Sequence, residues 1–267
     1  NSLRQYIHML SNTTAITPTD SWKLSDSHIK PQFGDQFSFG YYQNLKKGKF
    51  ETSMEVYYKR IGNYLDYKSG AKLLMNETIE TDVINTEAKA YGAEFQIKKV
   101  SGKLNGWTSY TWSRILQRTT STLPGEIING GAYYPGNYDK PHSFTTVANY
   151  RFTHRFSFSA VATYSTGRPI TLPIGVYNYA GSDRVFYSNR NEYRIPDYFR
   201  MDFSMNIEGN HKIKKLAHSS WTIGVYNLTG RRNPFSVYFL TENGKINGYK
   251  TSVLGSQLPF ITYNFRF

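Results

Sequence analysis

Apolar and polar residues alternate at a period of two along ten segments of the chain. For example, Met201, Phe203 and Met205 alternate with Asp202 and Ser204, the period of a β-strand with two different faces. Turn residues bound each segment. The predicted strands are residues 3–10, 36–44, 50–60, 90–99, 105–113, 142–150, 155–166, 199–208, 220–229 and 258–267. The pattern predicts an all-β, antiparallel protein whose strands each carry one apolar and one polar face.

The segments between these strands alternate strictly between short and long. The short ones are residues 45–49, 100–104, 151–154 and 209–219, and the long ones include residues 61–89, 114–141, 167–198 and 230–257. Connections in compact soluble domains are mostly short, so this sorting is unusual for them. Short turns on one side and long loops on the other are typical of a transmembrane β-barrel of the outer membrane.

The last predicted strand alternates through Ile261, Tyr263, Phe265 and Phe267. This ending resembles the closing strand of bacterial outer-membrane barrels, whose final aromatic residue belongs to the signal that the assembly machinery recognises. The resemblance implies that Tyr263, Phe265 and Phe267 form the barrel-assembly signal. It also implies that the short turns face the periplasm and that the long loops are extracellular.

Composition supports strands that face lipid on one side and water on the other. Aromatic residues make up 16% of the chain, yet hydrophobic residues make up only 39% and the mean hydropathy is −0.55. A disordered chain would lack these aromatics. No segment approaches the roughly 18 consecutive apolar residues of a membrane-spanning helix. A structure that spans the membrane would therefore have to be a barrel.

The charged and nucleophilic residues show no pattern of an enzyme, a metal site or a nucleic-acid-binding surface. The net charge is +13, but the densest basic run, residues 211–215, contains no aromatic residue on which a base could stack. The chain has no cysteine, and its six histidines lack the spacing of metal ligands. It also has no glycine-rich phosphate loop and no Gly-x-Ser-x-Gly motif. We expect no catalytic residues, no metal and no cofactor.

Several segments resemble TonB-dependent outer-membrane receptors, especially those of the Bacteroidota type. They are residues 50–60, 90–95 leading to 103–113, 138–143, 196–202 and 226–235. With the terminal strand they span nearly the whole chain, in the order found in the family. The resemblance implies a 22-stranded barrel filled by an N-terminal plug domain. Residues 1–267 would then be the C-terminal portion of that barrel, about its last ten strands, without the plug and the earlier strands.

The resemblance also implies a transport receptor that binds a scarce ligand at its extracellular loops and imports it with energy from TonB. Iron chelates, cobalamin, oligosaccharides and peptides all remain open as ligands. The implied partners are TonB through the missing plug, the remainder of the barrel, the lipid bilayer and lipopolysaccharide, with a surface lipoprotein as a further candidate. The candidate ligand-contacting residues, which could instead pack the loops together, are Tyr133, Tyr134, Tyr177, Tyr179, Arg184, Tyr187 and Arg190.

Three other hypotheses stay open at this point. The chain could be a complete ten-stranded outer-membrane barrel that carries a surface hydrolase site. It could be a receptor-like barrel subunit of a larger outer-membrane complex, because a fold does not by itself determine a function. It could also be a soluble β-rich binding module. The mass of the native protein separates the first hypothesis from a receptor, because a complete barrel would weigh about 30.8 kDa.

Overall fold

The computed structural model describes residues 2–10, 21–71, 76–209, 218–242 and 245–266. Nineteen strands account for most of this part of the chain, and its helical elements are two 3-10 turns, Ile79–Thr81 and Asn129–Gly131. In chain order the strands are β1 (Ser2–Gln5), β2 (Ile7–Leu10), β3 (Ser21–Leu24), β4 (Gln32–Leu45), β5 (Phe50–Tyr67), β6 (Val83–Lys99), β7 (Leu104–Thr119), β8 (Tyr134–Pro135), β9 (His142–Arg151), β10 (Phe156–Ser165), β11 (Pro169–Ile170), β12 (Pro173–Tyr179), β13 (Ser182–Tyr187), β14 (Tyr193–Arg194), β15 (Tyr198–Glu208), β16 (His218–Tyr226), β17 (Ser236–Glu242), β18 (Lys245–Thr251) and β19 (Leu258–Arg266).

One antiparallel sheet contains nine of the ten predicted strands and, in place of the predicted strand 3–10, the shorter β1. Its order is β1-β4-β5-β6-β7-β9-β10-β15-β16-β19, so each strand pairs with its neighbours along the chain. Within the described residues, β1 and β19 are each paired along one side only. The all-β, antiparallel prediction is confirmed. No helix in the described part of the chain is long and apolar enough to cross a membrane.

From β4 to β19 the strand register places most of the large apolar residues on one face, whereas Leu3 of β1 lies opposite Gly34 on the other face. On the apolar face, near the β1 edge of the sheet, Phe39 lies opposite Val56, which lies opposite Ala93. On the same face, near the β19 edge, Met205 lies opposite Ile223, which lies opposite Ile261. Large side chains on this face are not covered by protein: Phe39 is 65% exposed and Ile261 is 64% exposed. An apolar face of this extent is suited to contact with lipid.

The opposite face of the sheet is polar. Glu55 pairs in register with Glu94, and Ser159 pairs with Ser204. Near one end of the sheet, Lys98 donates a hydrogen bond to Glu51 at 2.9 Å. A charged side chain on the lipid side costs several kcal/mol at mid-bilayer, about 2–4 for Lys or Arg, so at that depth the charges lie on the side that water reaches.

The connections alternate in length, as predicted. Residues 46–49, 100–103 and 152–155 form short turns at one end of the sheet, and the fourth connection at this end, 209–217, is described only at Gly209. In the first turn Lys46, Lys47 and Gly48 have φ values of 50°, 57° and 80°, so the chain reverses within four residues. The long connections, at the other end, are residues 6–31, 68–82, 120–141, 166–197 and 227–257.

The structure differs from the prediction at the loop end of the sheet. A single strand over residues 3–10 is wrong, because β1 pairs with β4 whereas β2 leaves the sheet and pairs with β3. Strands β5, β6 and β7 continue well past their predicted ends. The long loops also contain hairpins, β12–β13 and β17–β18, that the sequence reasoning treated as loop. Buried apolar residues such as Ile84, Ile128 and Tyr134 cluster in this loop region.

The assignment of faces can be tested with two arginine substitutions on neighbouring strands. Ala160 is in the middle of β10 on the apolar face, opposite Ala148 and Phe203. Ser204, the matched control, is on the polar face of β15. We expect Ala160→Arg to lower the free energy of unfolding by about 2–4 kcal/mol in lipid vesicles, and Ser204→Arg to lower it much less. Urea unfolding of the full-length protein measures both, and equal losses would contradict the assignment.

Candidate functional site

A cavity of about 440 Å³ lies at the loop end of the polar face. Its wall includes the ends of β9, β10 and β15, where Thr163 lies opposite Arg200 and Ser165 lies opposite Tyr198. Three long loops complete the enclosure. The loop residues that line it include Lys140, Arg168, Pro196, Asn227, Asn233 and Leu254. The cavity is therefore shared between the wall of the sheet and the loops above it.

The cavity has an excess of positive charge. Lys140, Arg168 and Arg200 line it, and none of the described residues in its lining is acidic. Arg200 donates a hydrogen bond to Asp202 at 2.8 Å, whereas Lys140 and Arg168 form no ion pair within the described part of the chain. Burial lowers the pKa of Lys140, and the neighbouring Arg168 lowers it further. An anion in the cavity would offset both effects.

Asn227 holds the last long loop against the sheet. The residue is fully buried, its backbone has a φ of 52°, and its backbone N–H donates to Asp202 at 2.8 Å. The side-chain amide donates to the carbonyl oxygens of Arg231, Leu254 and Ser256 at 3.1–3.2 Å. Asn227 therefore positions the cavity wall by satisfying buried backbone groups.

Asp197 holds the preceding loop in a similar way. Its carboxylate accepts hydrogen bonds from the Tyr164 hydroxyl at 2.6 Å and from the Gly167 backbone N–H at 2.9 Å. These two bonds lower the pKa of Asp197. A Cβ atom at Gly167 would lie 1.7 Å from the carbonyl oxygen of Ile195, so only glycine allows the two loop segments to approach this closely.

Asp139 is a third anchor, and it is completely buried. Its carboxylate accepts from the Ile115 backbone N–H at 2.6 Å and from Arg114 at 3.3 Å. Arg194 also pairs with this carboxylate and donates to the carbonyl oxygen of Gly167 at 2.9 Å. Asp139, Asp197 and Asn227 all belong to segments that carry the family resemblance. Their contacts indicate that those motifs hold loops in place.

A second buried polar network lies beyond the cavity, around Asp66. The Asp66 carboxylate accepts from Arg190 at 2.7 Å, from Gln117 at 2.8 Å and from the Tyr134 hydroxyl at 2.5 Å. Burial raises the pKa of Tyr134, so its hydroxyl stays protonated and can donate. The side chains of Asp66 and Arg190 are only 4% and 11% exposed. Arg190 therefore docks the loop between β10 and β15 onto extended β5.

The seven candidate ligand-contacting residues lie in three different places. Tyr134 and Arg190 are buried and bonded to Asp66. Tyr133 donates to Glu87 at 3.0 Å, away from the cavity. The other four are on the exposed hairpin β12–β13, where Tyr177 lies opposite Arg184. Tyr177, Tyr179 and Tyr187 are 52%, 68% and 56% exposed.

The sequence reasoning missed Lys140 and Arg168 as candidate site residues. Lys140 lies in the family-like segment 138–143, two residues before the predicted strand 142–150, and Arg168 lies two residues after the predicted strand 155–166. Basic residues at the loop ends of adjacent strands were therefore the available signal. Of the expected assembly signal, Tyr263 and Phe265 are on the apolar face and half exposed, and Phe267 lies outside the described residues.

Breaking the Asp66–Arg190 pair should release the loop between β10 and β15. In Arg190→Leu the buried Asp66 carboxylate loses its cation, which we expect to cost about 3–5 kcal/mol locally. Hydrogen exchange of the backbone amides of residues 188–194 should then become much faster in the full-length protein. Arg184→Leu, an exposed change in the same loop, is the control and should leave that exchange unchanged. Slow exchange in both variants would contradict the anchoring role.

Comparison with known proteins bears on which family this arrangement belongs to. A family model described as TonB dependent receptor-like, beta-barrel matches residues 5–228. The comparison with curated proteins gives no match. Three solved structures are similar, and each shows the fold alone at these identities. They are the ferric-catecholate import receptor Fiu from E. coli K12 (14% identity, TM-score 0.53, 90% of this chain and 28% of that one), the ferripyoverdine receptor of the outer membrane of Pseudomonas aeruginosa (15%, 0.52, 89% and 28%) and the FrpB iron transporter from Neisseria meningitidis (13%, 0.54, 91% and 32%).

The chain spans only about 28–32% of the length of these structures. Its match to the family model nevertheless covers far more than half of its own residues. Members of that family are transporters and not enzymes, so family membership gives no support to the hypothesis of a hydrolase site. The ten-stranded sheet, with its lipid-facing side and its sorted loops, is part of an outer-membrane β-barrel, and the chain belongs to the TonB-dependent receptor family.

Proposed function

We propose that the full-length protein binds a ligand on its extracellular side and imports it across the outer membrane with energy from TonB. The observation that carries this proposal is the position of the cavity. It opens on the polar face of the sheet and at the end with the long loops. In a barrel this is where the lumen meets the extracellular side, and ligand sites favour such mouths.

We further propose that residues 1–267 form about the last ten strands of a 22-stranded barrel that a plug domain fills. Two observations support this. The chain spans about 28% of the Fiu and ferripyoverdine receptor structures, and β1 and β19 each have one unpaired edge within the described residues. Such edges are not stable in lipid, which favours further strands that cover them. TonB would act through the plug. The Bacteroidota assignment stays a prediction.

The native mass tests whether residues 1–267 are part of a larger barrel. If the chain is the last part of a larger barrel, the protein extracted from the outer membrane should weigh far more than 30.8 kDa. Denaturing mass spectrometry of the intact polypeptide measures this directly, and an antibody against residues 245–251 identifies the right species. A native polypeptide of 30.8 kDa would contradict the proposal.

The chemistry of the cavity indicates the class of ligand. Two cations without carboxylate partners, Lys140 and Arg168, face a space of about 440 Å³, which favours a ligand with anionic groups. The three similar structures are named for a ferric catecholate, a ferripyoverdine and iron. We propose an anionic iron chelate as the ligand. The exposed residues Tyr177, Tyr179, Arg184 and Tyr187 of β12–β13 would make the first contact, and Tyr133, Tyr134 and Arg190 are not part of this surface.

Removing both cations should weaken anion binding. We expect Lys140→Met/Arg168→Met to bind a ferric tris-catecholate at least about tenfold more weakly per residue changed, because a hydrogen bond to a charged group contributes about 1.5–3 kcal/mol. Calorimetry on the purified full-length receptor measures the affinity. Lys47→Met/Lys103→Met, at the opposite end of the sheet, is the charge-matched control and should bind as the wild type does. An uncharged ferric trihydroxamate should bind both variants equally.

The same site should give a pH dependence with a defined sign. An anion favours the protonated form of Lys140, so affinity should decrease as pH rises through the pKa of this lysine. Burial lowers that pKa below 10.5, so the decrease should begin at a lower pH than for an exposed lysine. In Lys140→Met this decrease should disappear. An identical pH profile in the wild type and in Lys140→Met would contradict the role of Lys140.

A further inference from the structure

Five residues on the outer surface of β5, β6, β7 and the following loop form a group that we call the rim cluster: Arg60, Glu87, Lys89, Arg118 and Tyr133. Their position follows from the strand register. Tyr58 lies opposite Tyr91 on the apolar face, and two residues further along these strands Arg60 lies opposite Lys89. The rim cluster is thus on the lipid-facing side of the sheet, directly next to the apolar rows and towards the long loops.

The rim cluster contains three cations and one carboxylate. Glu87 pairs with Arg118, accepts a hydrogen bond from the Tyr133 hydroxyl at 3.0 Å, and lies 3.7 Å from Arg60. The third cation, Lys89, lies 3.9 Å from the centroid of the Tyr133 ring. On the same ring, Arg118 lies 4.8 Å from the centroid. One carboxylate cannot neutralise three cations, so the cluster has a net positive charge.

The surrounding outward-facing groups do not remove this excess. Asp35 lies opposite Arg60 and accepts a hydrogen bond from the Ser2 hydroxyl. Arg4 lies on the neighbouring edge strand, opposite Phe33. This outward surface therefore carries two acids, Asp35 and Glu87, and four bases. The bases are Arg4, Arg60, Lys89 and Arg118. The guanidinium groups remain accessible, because the side chains of Arg60 and Arg118 are 74% and 45% exposed.

The apolar surface beside the rim cluster indicates which kind of anion fits. Phe37, opposite Tyr58, is 74% exposed and Tyr58 itself is 48% exposed. A free anion would leave these rings uncovered, whereas a lipid brings a charged headgroup and acyl chains together. Charge-assisted hydrogen bonds to phosphate are strong, and arginine suits them in geometry. Aromatic residues next to cations are also typical of the membrane interface.

We propose that the rim cluster binds the phosphate of a phosphorylated lipid in the outer leaflet, whose acyl chains lie along Phe37 and Tyr58. The site is on the opposite side of the wall from the cavity, so it is independent of the transported ligand. Bound lipid would hold β5, β6 and β7 together where they extend beyond the apolar rows.

The test uses the full-length receptor in nanodiscs of phosphatidylcholine and measures the affinity for a bisphosphorylated glycolipid such as lipid A. We expect Arg60→Gln/Arg118→Gln to bind at least tenfold more weakly than the wild type. Lys245→Gln/Lys250→Gln, which removes the same charge from the exposed strand β18, should match the wild type. Heat-modifiable migration on gels checks folding. If the double variant does not fold, Lys89→Gln replaces it, with at least a threefold loss expected.

Two further probes separate the contributions of phosphate and acyl chains. The dephosphorylated lipid, with the same acyl chains, should bind the wild type at least tenfold more weakly than the bisphosphorylated one. Inorganic phosphate alone should not bind at the concentrations at which the lipid does. Equal binding of the dephosphorylated lipid, equal binding of inorganic phosphate, or unchanged lipid affinity in the variant would each overturn the proposal.

Discussion

The structure depends on one constraint: in lipid, the backbone of every strand must find its hydrogen-bond partners on neighbouring strands. Here each strand of the sheet from β4 to β16 pairs with the sheet strands before and after it along the chain, and β1 and β19 pair along one side within the described residues. Because side chains alternate along a strand, a shift of one residue in any pairing would move the apolar face of that strand to the wrong side. The continuous registers from β4 to β19 keep Phe39, Val56 and Ala93 in one row, and the other apolar residues in parallel rows.

The loop end of the same sheet carries the candidate functional site. Strands β5, β6 and β7 extend beyond the apolar rows, and loops pack onto these extensions through buried polar groups. Asp66, Asp139 and Asn227 are each nearly or fully buried and fully engaged. A buried polar group without a partner costs more than a satisfied one contributes, so these anchors select one loop arrangement. Two of them, Asp139 and Asn227, lie in family-like motifs, and their contacts show that these motifs hold the loops in place.

The two faces of the wall present positive charge to different surroundings. Lys140 and Arg168 face the cavity on the polar side, and the rim cluster faces the lipid side. Lys140 and Arg168 lie in loops beside β9 and β10, whereas the rim cluster lies on the outward side of β5, β6 and β7 and the loop that follows β7, so the two sets occupy the same end of the sheet without interfering. These two sets of cations account for part of the net positive charge of the chain, +13.

The sequence by itself determined the strands of the sheet from β4 to β19, their two faces and the alternation of short turns and long loops. These features depend on local periodicity and on turn residues such as Gly48, which any strand of this kind shows without its neighbours. It did not show the hairpin β12–β13, although Ala180 and Gly181 supply the positive φ values of a tight turn. Nor did it distinguish Tyr134, which is buried on Asp66, from exposed Tyr177. Only the tertiary structure decided those placements, because burial of a loop residue depends on contacts between segments far apart in the chain, and no local pattern encodes them.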